Sequence, residues 1–331
     1  MRQPMGKRRG GAAVQNAVAR WRSLFNHLRR DMSRSRLLLA GLVLASLLVA
    51  SFSFAQFRRR GFSGDYPPPE NARTAREASG RDTILPSEWK IDPEFKRDVF
   101  TFTRVRYQSS ERSRRSGGGV WWIDCGDADL NLSFRLQQMT SMRVDPDGRI
   151  IDLTDKELFD YPWIYIVEPG LLVFSEAEVI ALRKYLLNGG FLMVDDFWGD
   201  YQWQNFYREI KRVFPEYEPE ELEMSHPIFH CVFNITLPKQ QMQIPNFRTG
   251  ELSQDTGVTW EEEYQHGPGT HDVHFRAISD AKGRMMVFIA HNTDNGDGWE
   301  REGEFKYFFS EFSEKKAYPL GINVVFYAMT H

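Results

Sequence analysis

At 331 residues, with 41% hydrophobic, 14% aromatic and 26% charged side chains, the chain has a globular rather than a disordered composition. Its net charge of −3 conceals an asymmetry: Arg2, Lys7, Arg8, Arg9, Arg20, Arg22, Arg29, Arg30, Arg34 and Arg36 stand against Asp31 alone, so the remainder is acidic, which argues against a nucleic-acid-binding body. Cys125 and Cys231 allow either one disulfide in an oxidising compartment or two buried thiols.

Residues 1–36 read as a basic arm and 37–55 as an uncharged apolar run. As a helix that run would be about 28 Å long, close to the hydrocarbon thickness of a bilayer. Two readings fit it: a signal peptide cleaved after Ala55, for which Met32 would make an ordinary start, or an uncleaved anchor with the arm in the cytoplasm. Both place the body outside the cytoplasm. Residues 56–85, rich in Arg, Gly and Pro, read as a flexible linker, and 86–331 as the folded domain.

Within that domain, residues 99–107 alternate as a half-exposed strand does, and 120–123 read as a short strand after a Ser/Arg/Gly loop. A helix over 129–142 puts Leu132, Leu136 and Met139 on one face, with Asp127 or Asp129 as its cap. Residues 149–153 and 163–167 predict buried strands. Ser175, with Glu178 three residues later, predicts a capping box opening a helix that stops at Asn188-Gly189-Gly190. A strand over 191–194 runs into Asp195 and Asp196, and a second helix covers 201–213. Residues 238–272 read as an insertion with several turns. Strands over 273–278 and 284–290 are joined by a tight turn at 280–283, and an apolar helix over 321–329 ends the chain. Alternating helical and strand segments predict an α/β fold with a mostly parallel sheet flanked by helices.

Several runs carry a resemblance: WWIDCGDADLNLSFRLQQMTSM, YPWIYIVEPG, LRKYLLNGGFLMVDDFWGD, HPIFH, GRMMVFIAHNTDNGDGWE and YPLGINVVFYAMT. Over residues 97–330 the chain resembles the bacterial family called domain of unknown function 4159. The resemblance implies a class I glutamine amidotransferase-like fold, with flavodoxin-like layers, and an envelope location. Amidotransferases carry a nucleophilic Cys on a tight turn after a strand, activated by a helix N-terminus and a His. The corresponding turn here, 194–199, holds no Cys or Ser at its tip, and neither Cys125 nor Cys231 lies in such a setting. The glutaminase reaction is therefore not expected.

In an open parallel sheet, ligands bind beyond the carboxyl ends of the strands. The candidate cleft is accordingly Asp195, Asp196, Trp198, His226, His230, Asn292, Asp294 and Asp297. Asp195 and Asp196 suit metal binding, acid–base work or sugar hydroxyls beside Trp198, Tyr201 and Trp203; the plainer role is helix capping for one and binding of a neighbouring loop's amides for the other. Adjacent strand residues point to opposite faces, so both line one cleft only if the turn redirects them. His226, His230, His274 and His291 could join them around a metal, but Pro227 breaks the helical spacing and no known zinc motif fits, so no metal or cofactor is assigned. Residues 291–299 lack the ligand series of an EF-hand and read as an Asx-rich loop over the same rim as Asp195. The aromatics near strand ends suit sugar stacking or ordinary packing. The expected protein is a ligand- or partner-binding module of the cell envelope, meeting the membrane through 37–55 and an envelope protein or glycan through the cleft. The competing expectation is a carboxylate- or metal-dependent hydrolase acting on envelope glycan or peptide.

Overall fold

A computed structural model of the chain describes residues 67–69, 71–79, 89–91, 93–95, 98–109 and 121–331. The basic arm, the apolar run, most of the expected linker, the Ser/Arg/Gly loop and Val120 lie outside the described residues. Among the described residues, no helix is long and apolar enough to cross a membrane.

Apolar strands seek burial on both faces when helices cover both sides of a parallel sheet. Strands β1 (Thr103–Arg106), β3 (Arg149–Asp152), β4 (Trp163–Val167), β6 (Phe191–Asp195) and β9 (Met285–His291) form the parallel part of a seven-stranded sheet. The antiparallel strands β7 (Glu220–Glu221) and β8 (His274–Ser279) complete it, in the order β3-β1-β4-β6-β9-β8-β7. A separate ribbon pairs β2 (Gln108–Ser109) with β5 (Leu172–Val173). The chain steps outward from β1 to β3 and then returns across β1 to β4, so the order reverses between β1 and β4.

The period of two along each strand divides the core. Trp163, Tyr165, Val167, Phe191 and Met193 face one hydrophobic layer with Leu132 and Leu136 of helix α1 (Asp127–Met139). Ile164, Ile166, Leu192 and Val194 face the other, with Leu182 of α2 (Glu176–Leu187) and with Phe206 and Ile210 of α3 (Gly199–Val213). The first layer also holds Trp299 of the short helix α5 (Asn295–Glu300) and Ile322 and Val324 of α6 (Tyr318–Thr330); α4 (Phe247–Thr256) lies in the insertion between β7 and β8. The fold is thus mixed α/β, with helices on both faces of a mostly parallel sheet.

The strand–helix–strand unit follows its local signals. Ser175 Oγ accepts the Glu178 N–H while the Glu178 carboxylate takes the Ser175 N–H, and α2 ends at Asn188 with Gly189 at φ 106.

Other expectations are corrected. The strand expected to be half-exposed lies inside the sheet, and Arg104 is wholly buried because Asp129 neutralises it. Residues 121–126 form turns rather than a strand. Helix α1 begins at Asp127 after Gly126 without a side-chain cap, since Asp129 is engaged by Arg104. Residues 71–79, within the expected linker, are packed: Ala72 and Ala75 are buried, the Arg73 carbonyl accepts the Ile150 N–H at 2.9 Å, and Arg73 pairs with Asp155 at 2.8 Å. Of the two alternatives for the cysteines, the structure has free thiols, but only Cys125 is buried and Cys231 is half-buried.

Candidate functional site

Beyond the carboxyl ends of β4, β6 and β9 lies a cavity of about 280 Å³ lined by Asp124, Glu168, Asp196, Glu261, Asp294 and Asp297, with Arg301 as the arginine among them. Ile123, Trp198, Gln202, Asn246, Gln265 and His266 complete the wall. The acids arrive from five stretches of chain, Asp294 and Asp297 together from the start of α5.

Asp195 and Asp196 part company at the end of β6. Asp195 keeps strand geometry and turns into the layer of α5, where its carboxylate accepts the Asn295 N–H at 2.9 Å, the Asn295 side-chain amide at 2.7 Å, the Gly296 N–H at 3.1 Å and the Tyr165 hydroxyl at 3.1 Å. Burial pushes its acid up to about 6, with these donors opposing. Asp196 adopts φ 57, a left-handed conformation that redirects its side chain into the cavity, where Oδ1 accepts the Trp198 indole N–H at 3.1 Å. One acid therefore binds a loop's amides, and the other lines the cavity.

Among the described residues, four non-glycine residues have positive φ: Asp124 (56°), Glu168 (45°), Asp196 (57°) and Asn292 (60°). Three line the cavity, and Asn292 braces it. Such conformations are uncommon for residues bearing a Cβ and concentrate at functional sites. Asn292 Oδ1 accepts the Gly199 N–H at 2.8 Å while its amide donates to the carbonyls of Gly269 (2.7 Å) and Asp272 (2.6 Å). It thereby ties the start of α3 to the insertion. Gly199 permits that contact: at φ 65, a Cβ there would meet the His266 carbonyl oxygen at 2.7 Å.

Asp124 is carried in by a buried ion pair. Arg104, from β1, donates through Nε to both oxygens of Asp129 at 3.0 Å and through Nη1 to the carbonyls of Ile123 (2.8 Å) and Trp121 (3.2 Å). Its guanidinium lies over the Tyr165 ring, 5.1 Å from the centroid. Removing two charges from water is costly unless the geometry satisfies both, and here the remaining guanidinium donors anchor the turn before Asp124.

The cavity is electrostatically uncomfortable. An oxygen from each of Asp124, Asp196 and Asp294 lies within 4.8 Å of the others, and the same holds for Asp124, Asp297 and Glu300. At an effective dielectric near 20, two unit charges about 4 Å apart repel by about 4 kcal/mol. Burial pushes Asp124 well above the usual carboxylate range, with Asp297, Glu300 and Asp196 adding to the rise and Arg104 opposing. Burial likewise raises Asp196, with Glu168 and Asp195 contributing, and Asp294, with Asp196, Asp297 and Asp124 contributing. Arg301 offsets part of the charge, pairing with Glu300 at 2.7 Å and Asp297 at 3.3 Å.

Of the expected cleft residues, Asp196, Trp198, Asp294 and Asp297 line the cavity, and Asp195 and Asn292 stand behind its wall. His226 and His230 do not join them. His226 caps the short 3-10 turn Pro227–Phe229, accepting the Ile228 N–H, and exposed His230 bonds Asn234 and the Met224 carbonyl. His291 is also structural: it bonds the Gly199 carbonyl and rests on Phe197, and burial, with the charges of Arg276 and His274, holds it well below its ordinary value. The Asx-rich loop is helical from Asn295, with Asp294 as its cap accepting the Asp297 N–H at 2.7 Å.

Sequence reasoning missed Asp124, Glu168, Glu261 and Arg301. Glu168 carried a usable signal, an acid directly after a buried parallel strand. Asp124 and Glu261 carried none, because a turn and an insertion bring them in. Residues 101–329 match the family model described as Domain of unknown function (DUF4159). The chain belongs to that family. No curated protein matches it.

Proposed function

We propose that this member of the family is a binding module whose strand-end cavity captures a positively charged ligand. The observation that carries the reading is the lining itself: among the described residues, six carboxylates, three of them on left-handed backbone, share the wall with one arginine. Folding of a cavity so charged is opposed by mutual repulsion, which a cationic ligand relieves. The fold is proposed to be class I glutamine amidotransferase-like; the strand β6, the sharp turn at Asp196 and the helix α3 support this, with an acid where the nucleophile would stand. Placement outside the cytoplasm, through residues 37–55 as signal peptide or anchor, belongs to the same proposal, as does an envelope protein or glycan presenting the cationic group.

The test is a thermal-shift panel on the full chain. Divalent metal ions and the polyamine spermidine are expected to raise the melting temperature, and neutral oligosaccharides or acidic peptides are not. Stabilisation by the neutral or acidic probes alone would overturn the reading. Fractionation with N-terminal sequencing of the mature protein tests the location.

A second reading is favoured by the left-handed Asp196. A strand-to-helix turn of this kind presents a nucleophile in the α/β-hydrolases. Asp196 would then act as a carboxylate nucleophile or base in a hydrolase on envelope glycan or peptide. Hydrolysis of such substrates that disappears in Asp196→Asn would establish it.

A further inference from the structure

We propose that Asp124, Asp196 and Asp294 form a site for a divalent, oxygen-preferring cation of the calcium or manganese type, an inference that rests on the cation-binding reading of the same cavity. Three carboxylate oxygens converge within 4.8 Å, one from each residue. The convergence alone would say little, since acids cluster in many proteins without an ion. The second observation is Asp124 itself. Its side chain lines the cavity at only 5% exposure, and Oδ2 is buried without a hydrogen-bond partner among the described residues. Buried carboxylate oxygens are ordinarily satisfied, and an unsatisfied one calls for an ion or water that completes it.

The other acids nearby are already served. Asp297 and Glu300 share Arg301, at 3.3 and 2.7 Å. Asp195 takes donors from Asn295, Gly296 and Tyr165. Within the trio, Asp196 and Asp294 each engage one protein donor through Oδ1, the Trp198 indole and the Asp297 N–H. Among the described residues, both acids are thus oriented by neutral donors rather than by a paired cation. The ligand atoms are all carboxylate oxygens, with no thiolate or imidazole, so the chemistry selects a hard ion over zinc or copper. Gly296 makes room, because a Cβ there would lie 2.3 Å from Asp124 Oδ2.

The experiment uses the full chain stripped with chelator, then titrated with Ca²⁺, Mn²⁺, Mg²⁺ and Tb³⁺ alone. Saturating Ca²⁺ or Mn²⁺ is expected to raise the melting temperature by roughly 5–10 °C. Tb³⁺ should show tryptophan-sensitised emission, because the Trp198 indole is bonded to a proposed ligand, and Ca²⁺ should quench it by displacement. Asp124→Asn should weaken binding at least tenfold without lowering the melting temperature of the stripped protein, since a neutral amide of the same shape replaces one carboxyl of a buried acidic cluster. Asp294→Asn, which keeps a capping side chain on α5, should do the same and serves if the first variant does not fold. Glu314→Gln, on an exposed stretch, should bind as the parent does.

No metal-induced shift and no sensitised emission would overturn the inference. Unchanged affinity in both Asn variants would also overturn it. If spermidine still stabilises a protein that ignores every metal ion, the cation-binding cavity stands and the metal site falls; if no cation stabilises it, both fall.

Discussion

Asn295 donates both its backbone N–H and its side-chain amide to the carboxylate of Asp195, at 2.9 and 2.7 Å. The pair joins the end of β6 to the first turn of α5 and holds the loop after β9 over the cavity. Asp195 accepts four donors in all and makes none of the cavity's lining, so its work is to position Asp294 and Asp297.

Asp195→Asn should expose that dependence. An amide in place of the carboxylate turns one acceptor oxygen into a donor facing donors, in a fully buried setting. A loss of about 2–4 kcal/mol in unfolding free energy is expected. Urea denaturation measures it, and a loss below 1 kcal/mol would mean the network is not the brace described.

The Arg104–Asp129 pair separates stability from site assembly. Arg104→Met leaves a buried carboxylate alone and should cost about 3–5 kcal/mol. Arg104→Met with Asp129→Leu should recover most of that loss. The double variant should still bind cations poorly, because the carbonyls of Trp121 and Ile123 lose the guanidinium that seats Asp124. Urea denaturation with a Ca²⁺ titration on each variant checks both halves. Parent-like binding in the double variant would show that Asp124 is positioned by other means.

Glu221 makes the sheet's far edge acid-sensitive. Burial works to raise its carboxyl, but hydrogen bonds from His274 and Lys239 and the charges of His274 and Arg276 outweigh it and push the group down from 4.5 to about 2. A carboxyl with a lower pKa in the folded state contributes stability that is complete above its unfolded value and lost as pH falls toward the folded one. The contribution should therefore fade between about pH 4.5 and 2. Glu221→Gln should flatten that segment of the stability-against-pH curve. Urea midpoints at half-unit intervals would show it.

The two thiols should behave independently. Burial pushes the Cys125 thiol up, and Cys231, which donates to the Asn323 carbonyl at 3.1 Å, is also raised by burial. A reductant should leave the melting temperature unchanged, and alkylation under native conditions should reach the half-buried Cys231 before Cys125. An intact mass lower by two hydrogen atoms, restored by reductant, would contradict the free-thiol arrangement.

What the sequence by itself determined was local. The Ser175–Glu178 capping box, the Asn188–Gly189 stop, the apolar strands at 163–167 and 191–194 and the hairpin turn at 280–283 rest on contacts within a few residues, so spacing alone exposes them. That locality also made the rim after β6 legible as the place for acids. Only the tertiary structure decided which acids meet. Arg104 looked like an exposed strand position and is buried by an aspartate from α1; His226 and His230 looked like cleft residues and cap a distant turn; Asp124 and Glu261 had no local mark at all. The reason is physical: a helix or strand follows from its neighbours in the chain, whereas this cavity requires several loops in mutual register, and that register is set by sheet order, buried charge pairing and left-handed turns that no periodicity encodes.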